Sequence, residues 1–95
     1  MTKDLHYYPV EATNGRIIFI FKLAAGYLRN AKQADDIATK AESTLKAGDY
    51  RPDIVIMEGE PGANPKLFGS HSCVTYIRSI LPSLAGPVWR PAILD

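Results

Sequence analysis

Residues Arg16 to Leu23 read Arg-Ile-Ile-Phe-Ile-Phe-Lys-Leu, and the five consecutive apolar side chains from Ile17 to Phe21 constrain this chain more than any other feature. Successive side chains of a strand point to opposite faces. Ile17, Phe19 and Phe21 therefore share one face, and Ile18 and Ile20 the other. A strand apolar on both faces needs cover on both and belongs in the middle of a sheet. With 95 residues the chain has room for one domain and one core, so the cover must come from this short chain or from a partner.

Local signals on either side of this strand set an architecture. Asn14-Gly15 precedes it, and Asn-Gly readily supplies the positive φ angles of a two-residue hairpin turn. That turn pairs Ala12 with Ile17, Val10 with Phe19 and Tyr8 with Phe21 on one face. On the other it pairs Glu11 with Ile18, Pro9 with Ile20 and Tyr7 with Lys22. Pro9 cannot donate to a ladder, so the first strand should be an edge.

After a short link, Asn30 is a good helix N-cap and Gln33 stands three residues on, a variant of the capping box. Ala31, Ala34, Ile37, Ala38, Ala41 and Leu45 then recur at helical spacing. Asp36 with Lys40 and Glu42 with Lys46 form acid-first i,i+4 pairs, and Gly48 stops the helix. Asp53 to Met57 is a second apolar run, and the strand, helix, strand sequence predicts a parallel pair joined by a right-handed crossover.

Glu58 to Pro65 is a loop by composition. Ser70 or Ser72 then opens a second helix with Val74, Ile77, Leu81 and Leu84 at helical steps. The strand-favouring Val74, Thr75, Tyr76 and Ile77, with Pro82 behind them, leave a strand over residues 73–81 as the alternative. The tail from Gly86 is apolar but too broken by proline for regular structure, so it must dock. The expected fold is a single α+β domain over residues 1–95. It has a three-stranded sheet, a hairpin plus one parallel strand, with the long helix on one face and the short helix and tail on the other.

Composition narrows the function classes. Eleven basic against ten acidic residues give a net charge of +1. Both signs are mixed along the chain, so no basic face marks a nucleic-acid binder. One cysteine cannot form an internal disulfide or a cysteine-based zinc site. Neither an apolar leader nor a membrane-length apolar run is present, and the expected setting is a reduced cytoplasm.

Reactive-looking residues are few. Cys73, beside His71 near a helix start, is a conceivable thiolate nucleophile, but a lone cysteine among apolar residues is more often a small core filler. Ser70 and Ser72 lie in no nucleophile elbow. Glu58 and Glu60, two apart at a strand end, are candidates for an acid–base pair or, with His71, for metal ligands. A solvated loop explains them more simply. No phosphate-loop glycine pattern is present, and these carboxylates would repel phosphate. The spacing thus assigns no metal and no cofactor.

Two places remain where this chain could recognise something. The C-terminal edge of a parallel pair favours ligands, and it collects Lys22, Tyr27 and Arg29 with Glu58, Glu60 and His71. The other is the tail, where Trp89 and Arg90 are residue types that dominate binding hot spots. Val88, Ile93 and Leu94 would be an exposed apolar patch if undocked. A domain of this size buries only about 60–65% of its unfolded surface, and one helix and a broken tail cover a two-faced sheet poorly. The leading expectation is therefore a non-catalytic protein-binding module, an accessory or inhibitor acting by surface occlusion and self-associating as a homodimer. Tyr76, Trp89, Arg90, Ile93 and Leu94 would form its interface. The alternative is a ligand-binding cleft, or a thiol or acid–base enzyme, at the strand ends.

Overall fold

A computed structural model describes residues 5–12, 15–45 and 53–92. The fold is α+β and runs β1 (His6–Glu11), β2 (Ile17–Leu23), α1 (Ala31–Leu45), β3 (Asp53–Glu58), β4 (Lys66–Phe68), α2 (His71–Ser79) and β5 (Arg90–Pro91). The strands form one mixed sheet in the order β4-β3-β2-β1-β5. β2, apolar on both faces, is central, antiparallel to β1 and parallel to β3.

The sheet has five strands where the sequence predicts three. β4 and β5 are three and two residues long, too short for alternation to mark them. Their neighbours hold them: Leu67 pairs with Met57, and Arg90 pairs with Tyr7. The proline-broken tail thus does form a strand, and β1 is not outermost. β5 nevertheless stops at Tyr7, before Pro9, which has no N–H to continue a ladder.

The hairpin register also differs by one residue from the one Asn14-Gly15 predicts. Val10 pairs with Ile18, Tyr8 with Ile20 and Tyr7 with Phe21. Ala12 N–H donates to Arg16 O at 2.8 Å, so the paired ends have three residues between them in the chain where Asn-Gly predicts two. Gly15 has φ 83°, the left-handed position that three-residue hairpin connections place last. Thr13 and Asn14 lie outside the described residues. A one-residue slip carries a strand's side chains to the other face. Tyr8 and Val10, expected on the face of Phe19 and Phe21, instead join Ile18 and Ile20. Tyr7 takes their place, its ring 5.9 Å from that of Phe21.

Two cores result, one on each face. Phe21, Leu23 and Ile56 are buried beneath Ala34 and Ala41 of α1, with Phe19, Tyr7, Ile37 and Leu45 packed around them. Ile18, Ile20, Val55 and Met57 are buried beneath Ile77 of α2 and Leu84, with Tyr8, Val10, Cys73, Tyr76 and Trp89 around them. Small alanines on α1 let the helix approach the sheet closely.

Asn30 caps α1 by accepting the Gln33 N–H at 3.0 Å, while Gln33 Oε1 accepts the N–H of Arg29, one residue before the cap. Asp36 meets Lys32 at 3.3 Å rather than Lys40. Lys46 and Gly48 lie outside the described residues. Residues 73–79 are helical, so the periodicity of Val74 and Ile77 prevails over their strand propensity. Leu81–Leu84, with Pro82 in its first turn, continues as a 3-10 turn.

Ile20→Ala and Phe21→Ala, on opposite faces of β2, should each lower the unfolding free energy by about 2–5 kcal/mol in urea denaturation. A loss below about 1 kcal/mol for either would mean that its face is not packed.

Candidate functional site

β2 and β3 end side by side, with Leu23 opposite Glu58, and ligands favour this edge of a parallel pair. The residues that the sequence gathers there are divided by the sheet. Glu58 follows Ile54 and Ile56 onto the α1 face, where it is buried at 8% exposure. Its Oε2 accepts the Leu28 N–H at 3.0 Å. Tyr27 and Leu28 pack into the same core. Arg29 is exposed at the start of α1. Glu58 is therefore a tether for the β2–α1 loop, assisted by Gly59 N–H donating to Leu23 O at 2.8 Å. Glu58, Tyr27 and Arg29 do not form the expected ligand cleft with Lys22.

Lys22 follows Ile18 and Ile20 onto the opposite face. Gly59, at φ 110°, breaks the alternation that would have kept Glu60 beside Glu58, and Glu60 Oε1 reaches Lys22 Nζ at 3.2 Å. The two glutamates are thus not an acid–base pair. The Lys22 ammonium lies 4.8 Å from the centroid of the Trp89 ring. Trp89 is fixed in turn: its indole N–H donates to Leu84 O at 3.1 Å and its ring is 5.7 Å from that of Tyr8.

A cation over an indole is stabilised by about 0.5–2 kcal/mol, depending on desolvation, whereas a pair with an exposed carboxylate contributes about 0.2–1 kcal/mol. The Lys22 side chain is only 17% exposed and that of Glu60 69%. Packing and the aromatic ring, more than Glu60, position this ammonium. Around it opens a cleft of about 480 Å³, lined by His6, Lys22, Leu23, Ala24, Glu60, Pro87 and Trp89. The cleft is open to solvent rather than enclosed.

His71 and Cys73 lie at the other end of β3. β4 runs antiparallel to β3, pairing Glu58 with Lys66 and Ile56 with Phe68, so α2 begins near Asp53. That is about 17 Å along the strand from Glu58 at 3.3–3.4 Å per residue. The constellation of Cys73, His71, Glu58 and Glu60 is not assembled, and the metal set of Glu58, Glu60 and His71 fails for the same reason. Among the described residues no group of three or more His, Cys, Asp or Glu is placed to hold a metal ion. Cys73 is half-buried in the α2-side core and lines a second cleft of about 280 Å³ with Arg16, Asp53, Ser70, Ser72 and Tyr76. Arg16 meets Asp53 there at 2.8 Å.

Of the residues expected at an interface, Tyr76 and Trp89 pack on this chain's own sheet. The Tyr76 hydroxyl donates to Glu11 O at 3.4 Å. Arg90 is exposed in β5, and Ile93 and Leu94 lie outside the described residues. Sequence reasoning missed His6, Pro87 and the part of Trp89 in the Lys22 cleft. The true register carries the missing signal, because it sets His6 opposite Lys22.

No protein-family model, no curated protein and no solved structure matches the chain. No helix among the described residues is long and apolar enough to cross a membrane.

Removing the Glu58 tether leaves a part-buried N–H unpaired, so Glu58→Ala should cost about 1–3 kcal/mol of stability in denaturant unfolding. Glu60→Ala should change it by less than about 0.5 kcal/mol. Equal losses would contradict the division of the two glutamates between faces.

Proposed function

We propose that the chain is a small-ligand-binding domain whose cleft around Lys22 takes a small organic anion. The observation that carries this reading is the setting of Lys22. Its side chain is mostly buried and its ammonium lies over Trp89, while the only carboxylate paired with it among the described residues is an exposed one that lines the same cleft of about 480 Å³. A positioned cation in a partly apolar cleft, at the C-terminal ends of parallel strands, suits recognition of a negative group attached to an apolar body.

Trp89 is the only tryptophan, so its indole N–H gives a single reporter signal in an NMR spectrum. Titration with a panel of small carboxylates and inorganic phosphate should move that signal saturably. Lys22→Met, which retains the apolar stem, should weaken binding at least tenfold without altering the circular dichroism. A silent indole signal across the panel, or unchanged affinity in Lys22→Met, would refute the reading.

One observation favours a second reading, the protein-binding module. Val88, between Pro87 and Trp89, is 86% exposed. In that reading the Val88–Arg90 segment meets a partner surface or a second copy. Light scattering would then give a mass above the 10.5 kDa of one chain, and Val88→Asp would return it to one chain. A wild-type mass of one chain would remove the homodimer.

A further inference from the structure

Resting on the cleft reading above, we infer that Glu60 is a built-in competitor for the Lys22 site, and that the ligand it competes with is an aromatic monocarboxylate. The backbone of Glu60 is held on both sides. The Gly59 N–H is bonded to Leu23 O, and the buried Pro61 opens a 3-10 turn directly after it. The side chain, in contrast, is 69% exposed and can swing into solvent without disturbing either anchor. Its carboxylate therefore sits on the ammonium at high local concentration, but in a weak and exchangeable pair.

A ligand carboxylate can take the same position, and the rest of the ligand can then touch the other residues that line the cleft. Ala24, Pro87 and Trp89 are among the apolar residues that line the cleft. A flat ring carried by the carboxylate would meet them there, at the Trp89 ring by the offset or edge contacts that its quadrupole favours, since Lys22 and Tyr8 already meet that ring. The charges argue for a single negative group. Of the two basic side chains that line the cleft, Lys22 carries a full charge at neutral pH and His6 is mostly neutral there, so one carboxylate is answered, and the displaced Glu60 stays close enough to repel a second charge. A neutral ligand gains nothing from Lys22 and leaves Glu60 in place. Glu60 thus sets the occupancy of the cleft: the ligand binds only as tightly as it exceeds the internal carboxylate, as in any coupled equilibrium.

The test compares the full-length wild-type chain with Glu60→Gln, using benzoate, its neutral isostere benzamide, acetate and inorganic phosphate as probes and the Trp89 indole N–H shift as readout. Benzoate should bind Glu60→Gln at least threefold more tightly than wild type, with Glu60→Ala repeating the gain. Benzamide, acetate and phosphate should each bind at least tenfold more weakly than benzoate. Unchanged or weaker benzoate binding in both Glu60 variants overturns the competitor. Benzamide matching benzoate overturns the anionic class. If acetate or phosphate matches benzoate, and Lys22→Met abolishes both, the cleft reading stands and the aromatic monocarboxylate falls. If no probe binds to wild type or to either variant, both readings fall.

Discussion

β2 has to be covered twice. Its alternation places Ile18 and Ile20 on one face and Phe21 and Leu23 on the other, and all four are almost completely buried. Neither face could be left to solvent, since exposing one such side chain forfeits about 1.5–3 kcal/mol of burial, against a total stability of roughly 5–15 kcal/mol for a domain of ordinary size. α1 closes one face and α2, the following 3-10 turn and Trp89 close the other. The need for that second cover explains why the tail docks, and why the tail's last described residues then find a short strand to pair with on β1.

The same alternation decides where chemistry can lie. Lys22 continues the Ile18–Ile20 face and Glu58 continues the Ile54–Ile56 face, so two residues near the ends of adjacent parallel strands, one step out of register, look in opposite directions. One becomes a loop tether beneath α1 and the other a cation beneath Trp89. Gly59, with its left-handed backbone, then delivers Glu60 to the Lys22 side. The tryptophan that completes the second core is the same one that fixes the ammonium. Packing and the candidate site thus share a residue.

Much of this is legible in the residues. The doubly apolar β2, the Asn30 cap, the alanine face of α1 and the spacing of Val74 and Ile77 each identify an element by its own local physics. What escapes are features that depend on pairing rather than on local sequence. Lys66–Phe68 and Arg90–Pro91 are strands only because Ile56–Glu58 and His6–Tyr7 present edges to them. The hairpin strands pair one residue away from the register that Asn-Gly argues for, and this single difference moves Tyr8 and Val10 across the sheet and sets His6 opposite Lys22. The site escapes for a second reason. Lys22 is found by its position at a strand end, but Glu58, Tyr27 and Arg29 are grouped with it by sequence proximity to that edge, which ignores faces. The poorly covered sheet that favoured self-association belongs to a three-stranded fold. With five strands and a docked Trp89, Ile17 and Val88 are the only large apolar side chains exposed among the described residues.

The most direct test is the set of nuclear Overhauser contacts made by the Trp89 indole ring, because that ring reports the hairpin register, the closure of the second face and the position of the cation together. Cross-peaks to the Tyr8 ring and the Lys22 side chain, with none to Tyr7 or Phe21, are the predicted result. Contacts from Trp89 to Tyr7 or Phe21, or the absence of any contact to Lys22, would contradict it.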